Sequence, residues 1–147
     1  MAFQIKLSKE FADNLKKVAI NMDKVAERAL VEGASIIEKQ MRSNLQKVIG
    51  SGTKSQSKPT GQLLNALGKS PVKANIKTGG WDIKIGFLEP RKDGTPNALV
   101  ANVLEYGKKG QAPKPFMKPA LNATRRKVRT TMSRVIDEEI EKIMGGK

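Results

Sequence analysis

The sequence predicts an α+β fold, with a small antiparallel β-sheet (a hairpin plus an N-terminal strand) packed by a long N-terminal helix and a C-terminal helix. Three observations predict it. Apolar residues recur at helical steps over two long stretches, a period-two alternation flanks Thr78-Gly79-Gly80, and glycines punctuate the ends of the periodic runs.

Phe3, Ile5 and Leu7 alternate with polar residues as in a short strand, and Ser8 then offers an N-cap oxygen to a helix from Lys9. Phe11, Leu15, Val18, Met22, Val25 and Ala29 step by four and three, and Ile36, Ile37, Met41, Leu45 and Val48 continue the stripe past Gly33. Residues 9–48 are therefore one long helix or two separated near Gly33. Gly50 to Pro59 holds no aliphatic residue, which predicts a mobile basic loop near 50–59. Thr60 can cap a short helix through Leu63, Leu64 and Leu67, stopped by Gly68. Val72, Ala74 and Ile76, then Trp81, Ile83, Ile85 and Phe87, alternate with polar residues on either side of the Thr78 turn and read as a β-hairpin. Ala98 to Tyr106 reads as a short helix with Leu99, Val103 and Tyr106 on one side and Gly107 ending it. A second exposed, mobile basic loop is expected near 107–115, and Phe116, Ala120, Leu121, Val128, Met132, Val135, Ile136, Ile140 and Ile143 mark a last amphipathic helix ending at Gly145.

The 147 residues carry 28 Lys and Arg against 14 Asp and Glu, a net charge of +14. That size fits one domain, 1–147. Cys and His are both absent, which excludes thiol nucleophiles, Ser-His-Asp triads, disulfides and Cys/His zinc sites. Gly68-Lys69-Ser70 resembles the end of a phosphate loop, but Leu63 stands where that loop needs glycine, so a helix stop and turn is the better reading. No catalytic residue, metal site or cofactor is expected. No apolar run approaches the roughly 18 residues of a membrane span, so no membrane partner is expected either.

The basic residues are segregated. Eight lie between Lys39 and Trp81 and nine between Tyr106 and Ile136, with no acid in either block. Such blocks attract phosphates without reading bases. Asp137, Glu138, Glu139 and Glu141 form the only dense acidic cluster, whose ordinary reading is a solvated helical face with Lys142 at i+4 from Glu138. The sharper reading is an electrostatic contact with a basic neighbouring copy.

Two segments together resemble a known family. Lys58-Pro-Thr-Gly-Gln-Leu-Leu-Asn-Ala-Leu67 is followed by Leu99-Val-Ala-Asn-Val-Leu-Glu-Tyr-Gly107, a Lys/Gly loop and Lys114-Pro-Phe-Met-Lys-Pro-Ala-Leu121. In that order, after a long amphipathic helix, they resemble the neck, head–tail connector or tail-completion proteins of long-tailed bacteriophages. Lys114, Ala66 and Lys108 are departures, standing where Arg, Ser and Thr are more usual. The resemblance implies a virion protein without enzymatic activity. It would be assembled in the host bacterial cytoplasm and form a ring of six or twelve copies at the neck, with genome DNA passing nonspecifically through it. Its partners would be further copies, a neighbouring connector or head-closure protein, and a tail terminator or tail tube protein.

Within that frame, Lys54, Lys58, Lys108 and Lys109 on the two polar loops are expected to face DNA or the neighbouring ring. Glu105 and Tyr106 are expected to anchor the second loop and, with Asp137, Glu138, Glu139 and Glu141, to serve a subunit or partner interface. The bland alternative for the motif is a packed Tyr106 beside an exposed Glu105. Thr60 and Gly61 are expected to shape a turn and Phe116 to plug the core. A basic, sequence-nonspecific nucleic-acid-binding module is the alternative reading of the whole chain.

Overall fold

Ser8 starts the first helix, its Oγ accepting the N–H of Phe11 at 3.1 Å. A computed structural model describes residues 4, 6, 8–49, 61–88 and 92–145. Phe3, Ile5 and Leu7, on which the expected N-terminal strand rests, lie outside them, as do Lys54, Lys58 and Thr60. The fold is α+β, in the order α1 (Lys9–Ile20), α2 (Met22–Val48), α3 (Gln62–Ala66), β1 (Leu67–Lys69), β2 (Lys73–Asn75), β3 (Gly80–Asp82), β4 (Ile85–Phe87), α4 (Asn97–Tyr106) and α5 (Met117–Met144). No helix among the described residues is long and apolar enough to cross a membrane.

The long amino-terminal helix breaks at Asn21, not near Gly33. Asn21 leaves helical geometry (ψ 9°), and its Nδ2 donates to the Lys17 carbonyl at 2.8 Å, a local bond that competes with helix propagation. Gly33 is mid-helix in α2, where it lets α5 approach. A Cβ there would lie 3.0 Å from Cγ and Sδ of Met132 and 3.4 Å from Val128. The two long helices run antiparallel, with Arg28 beside Glu138 and Glu139, Gly33 beside Met132, and Asn44 Nδ2 donating to the Phe116 carbonyl. Each is about 40 Å long at 1.5 Å per residue.

The hairpin is longer and less regular than the alternation suggests. β1 pairs with β4 (Leu67↔Phe87, Lys69↔Ile85) and β2 with β3 (Lys73↔Asp82, Asn75↔Gly80), both antiparallel. Residues 70–72 therefore face only residues 83–84, an extra residue of the bulge type. Ser70 bridges the irregularity. Its N–H donates to the Lys84 carbonyl at 2.8 Å, while its Oγ accepts the Lys84 N–H at 2.9 Å. Leu67, Gly68 and Lys69 are thus strand, not the end of a helix, and α3 stops at Ala66 because Leu67 turns extended. Gly61, at φ 75°, takes the N-cap position of α3. Ile76 is not an inward strand residue. It stands 98% exposed in the turn, where Asn75 Oδ1 accepts the N–H groups of Lys77 and Thr78. Trp81 Nε1 donates to Asp23 at 2.6 Å and ties the hairpin to the start of α2.

The core gathers Met41 and Leu45 of α2, Leu63, Leu67, Ala101 of α4, and Phe116 and Ala120 around α5. Phe116 and Leu45 are fully buried, each worth about 2–3 kcal/mol of transfer free energy. The Phe116 ring meets Phe87 edge-on, with centroids 6.0 Å apart.

Candidate functional site

Helix α4 packs Val100, Ala101 and Leu104 against the core rather than the expected side of Leu99 and Tyr106. Leu99 and Tyr106 point outward, Tyr106 being 74% exposed, whereas Asn97, Ala101 and Glu105, spaced by four, form the buried line. Glu105 is only 5% exposed, and a carboxylate there must be hydrogen-bonded to be tolerable. It is, three times over. Oε2 accepts the N–H of Phe116 at 2.7 Å and of Met117 at 2.8 Å, and Oε1 accepts that of Lys118 at 2.9 Å.

Those N–H groups are the orphan donors at the start of α5, whose N-cap residue Phe116 supplies no side-chain cap of its own. Glu105 caps α5 from another helix, and its negative charge lies at the positive end of the dipole. Burial pushes its carboxyl upward, but the backbone donors Met117, Lys118 and Phe116 and the Lys118 charge outweigh this and hold it below 4.5.

The chain between Glu105 and Phe116 is folded back by Gly107. This residue sits at φ 77°, and a Cβ on it would lie 2.8 Å from the Gln111 carbonyl oxygen and 2.9 Å from Pro113 N. Lys108 and Gln111 exchange backbone hydrogen bonds of 3.1 and 2.9 Å, and the Lys114 N–H donates to the Leu104 carbonyl at 2.7 Å. Lys108 and Lys109 are therefore displayed, exposed, on a four-residue turn whose base is clamped by the Glu105 cap.

The acidic cluster is engaged within its own chain. Arg28 reaches across from α2 to Glu139 and to Glu138 (3.2 Å), Arg134 holds Glu138 at 2.7 Å and Glu32 at 3.5 Å, and Lys142 lies 3.4 Å from Glu139. The i+4 pair of Glu138 with Lys142 is not formed; Lys142 pairs at i+3 instead. Arg134 chiefly lowers the Glu138 carboxyl and Arg28 chiefly lowers that of Glu139, while Glu139 in turn pushes the Arg28 guanidinium upward. Asp137 and Glu141 make no ion pair among the described residues.

Sequence reasoning missed Arg28, Arg42 and Asn44. Arg42 donates to the carbonyls of Leu64 (2.8 Å) and Leu67 (3.0 Å), which end α3, and its only legible signal is Glu38 one turn earlier. The Lys69 ammonium pairs with the same Glu38 at 3.1 Å, which places this lysine in a strand-to-helix tie.

Two apolar surfaces remain uncovered by the described residues. Helix α1 buries no residue at all, and Phe11 and Leu15 are 44% and 47% exposed. Elsewhere an apolar groove of about 360 Å³ runs between α2, α5 and the hairpin, lined by Leu30, Ile37, Met41, Ile83, Leu121 and Met132 among others.

A family model described as "Bacteriophage HK97-gp10, putative tail-component" matches residues 9–107, from the first residue of α1 to the glycine that ends α4. No curated protein and no solved structure matches the chain. The match takes in α1 to α4, with the bulged hairpin and the helix that carries Glu105, and the chain belongs to the HK97-gp10-like family of bacteriophage tail components.

Proposed function

We propose that this chain is a structural, non-catalytic virion protein that assembles as a ring at the neck, between capsid and tail, and contacts other phage structural proteins there. The observation that carries this reading is the family membership over residues 9–107. The two uncovered apolar surfaces support it. A head-to-tail ring needs two different complementary patches on each copy, and the α1 stripe of Phe11 and Leu15 and the α2/α5 groove are two such patches.

In this reading Lys108 and Lys109, displayed on their clamped turn, face the adjoining ring or the passing genome, with Lys54 and Lys58 on the other basic segment. Tyr106 and the acids Asp137 and Glu141 face a neighbour, while Glu105 shapes that interface from within. Labelling the chain with gold-tagged antibody in purified virions tests the location. Label at the head–tail junction is expected, and label on the capsid shell or the distal tail tip contradicts it. The nucleic-acid module is the second reading, favoured by the basic half of α5.

A further inference from the structure

Helix α5 is divided by charge. From Lys118 to Arg134 it carries six basic residues and no acid, and from Asp137 to Glu141 four acids. If the acidic end served to receive the basic half of another copy, its carboxylates would have to be free. Two of the four are not, because Arg28, Arg134 and Lys142 already hold Glu138 and Glu139. The basic half is different. Arg134 is paired, but Lys118, Arg125, Arg126, Lys127 and Arg129 are exposed and make no ion pair among the described residues.

The five are not equivalent. Lys118 in the first turn is balanced by the nearby Glu105 carboxylate, whereas Arg125 and Arg129 are like charges at i,i+4 and oppose the stability of their own helix. Three of them align. Lys118, Arg125 and Arg129 fall at i, i+7 and i+11, within about 40° of one another around the helix and about a third of a turn from the buried line of Ala120, Thr124 and Val135. The row is about 16 Å long at 1.5 Å per residue. A DNA strand presents one phosphate per about 3.4 Å of axis, so each of the three cations can meet a phosphate.

From this arrangement we infer that the Lys118, Arg125 and Arg129 row of α5 is a sequence-independent docking surface for the phosphate backbone of duplex DNA. Contacts of this kind position a duplex without reading it. Asn122 lies beside the row and adds a neutral donor. The inference does not rest on the ring, since a row on one helix acts in one copy or in many.

The test is fluorescence anisotropy of the full chain with labelled duplexes of about 20 base pairs, two helical turns, in two unrelated sequences. Salt is varied from about 50 to about 300 mM, because each phosphate contact contributes about −0.9 to the slope of log K against log salt. Binding alike to both sequences is expected. The Lys118→Gln/Arg125→Gln/Arg129→Gln variant should flatten the slope by about 2–3 and weaken binding at about 100 mM salt roughly 100-fold or more. A Lys108→Gln/Lys109→Gln variant serves as control and should flatten the slope by less. Circular dichroism and light scattering on the same samples establish that each variant keeps its fold and copy number. An unchanged slope in the triple variant, a greater loss in the loop variant, or no binding by the parent chain at the lowest salt overturns the inference. So does a triple variant that binds DNA normally while losing an acidic partner protein.

Discussion

Phe116 donates its backbone N–H to the carboxylate of Glu105 at 2.7 Å, so the residue whose ring fills the core is held in place by a buried acid of the preceding helix. One carboxylate thereby joins the end of α4, the Lys108 turn and the start of α5.

Removing that cap leaves three N–H groups to find other partners. Glu105→Ala is expected to cost about 2–4 kcal/mol, and Glu105→Gln, which keeps one acceptor oxygen, about 1–2. Chemical denaturation at neutral pH measures both. A loss below about 0.5 kcal/mol for the alanine variant, the level of an ordinary surface change, contradicts the capping role.

The same group makes stability depend on pH. The carboxyl is held below 4.5 in the folded state, so its contribution is fully present above the unfolded-state value and is lost as pH falls through the lower folded-state value. Unfolding free energies should therefore drop more steeply below about pH 4.5 in the parent chain than in Glu105→Gln. Parallel curves would show that the cap carries no charge-dependent part.

Gly107 should tolerate no side chain. At φ 77°, with a Cβ 2.8 Å from the Gln111 carbonyl oxygen, Gly107→Ala is expected to cost about 2–4 kcal/mol through strain and displacement of the Lys108 turn. Gly110 is the comparison: it also has positive φ, but a Cβ there meets nothing within 4 Å, so Gly110→Ala should cost only about 1 kcal/mol. Thermal melts of the two variants rank them, and equal losses would remove the steric argument.

Gly33 separates packing from helix propensity. Gly33→Leu must push Met132 and Val128 apart and should destabilise by about 2–3 kcal/mol despite the better helix former. A stabilised variant would mean that α2 and α5 are not in close contact there.

Much of the fold is legible in the chain. Gly107 and Gly145 end their helices, and Ser8 caps the first, because these signals are local. What is hidden depends on partners far along the sequence. The apolar stripe runs unbroken through Asn21, so the break there is decided by a side-chain hydrogen bond that periodicity does not register. Gly33 reads as a breaker, yet it stays helical because Met132, 99 residues later, occupies the space it leaves. The orientation of α4 is hidden for the same reason. Leu99, Val103 and Tyr106 share one side, but the core meets Val100, Ala101 and Leu104, and the buried Glu105 beside them is made tolerable by backbone donors at Phe116 to Lys118. The acidic cluster is visible as composition, whereas the engagement of Glu138 and Glu139 by Arg28 needs the antiparallel pairing of α2 with α5.

We propose that this phage tail component works as a closed ring of copies. The most direct measurement is the mass of the purified chain by light scattering at about 150 and about 500 mM salt, conditions between which exposed charge contacts are increasingly screened. One closed multiple, six or twelve copies, is expected at both salts, because the proposed subunit contacts are chiefly the apolar patches, while Glu138 and Glu139 of the acidic cluster are already engaged within the chain. A single-copy mass at both salts and at every concentration would contradict it.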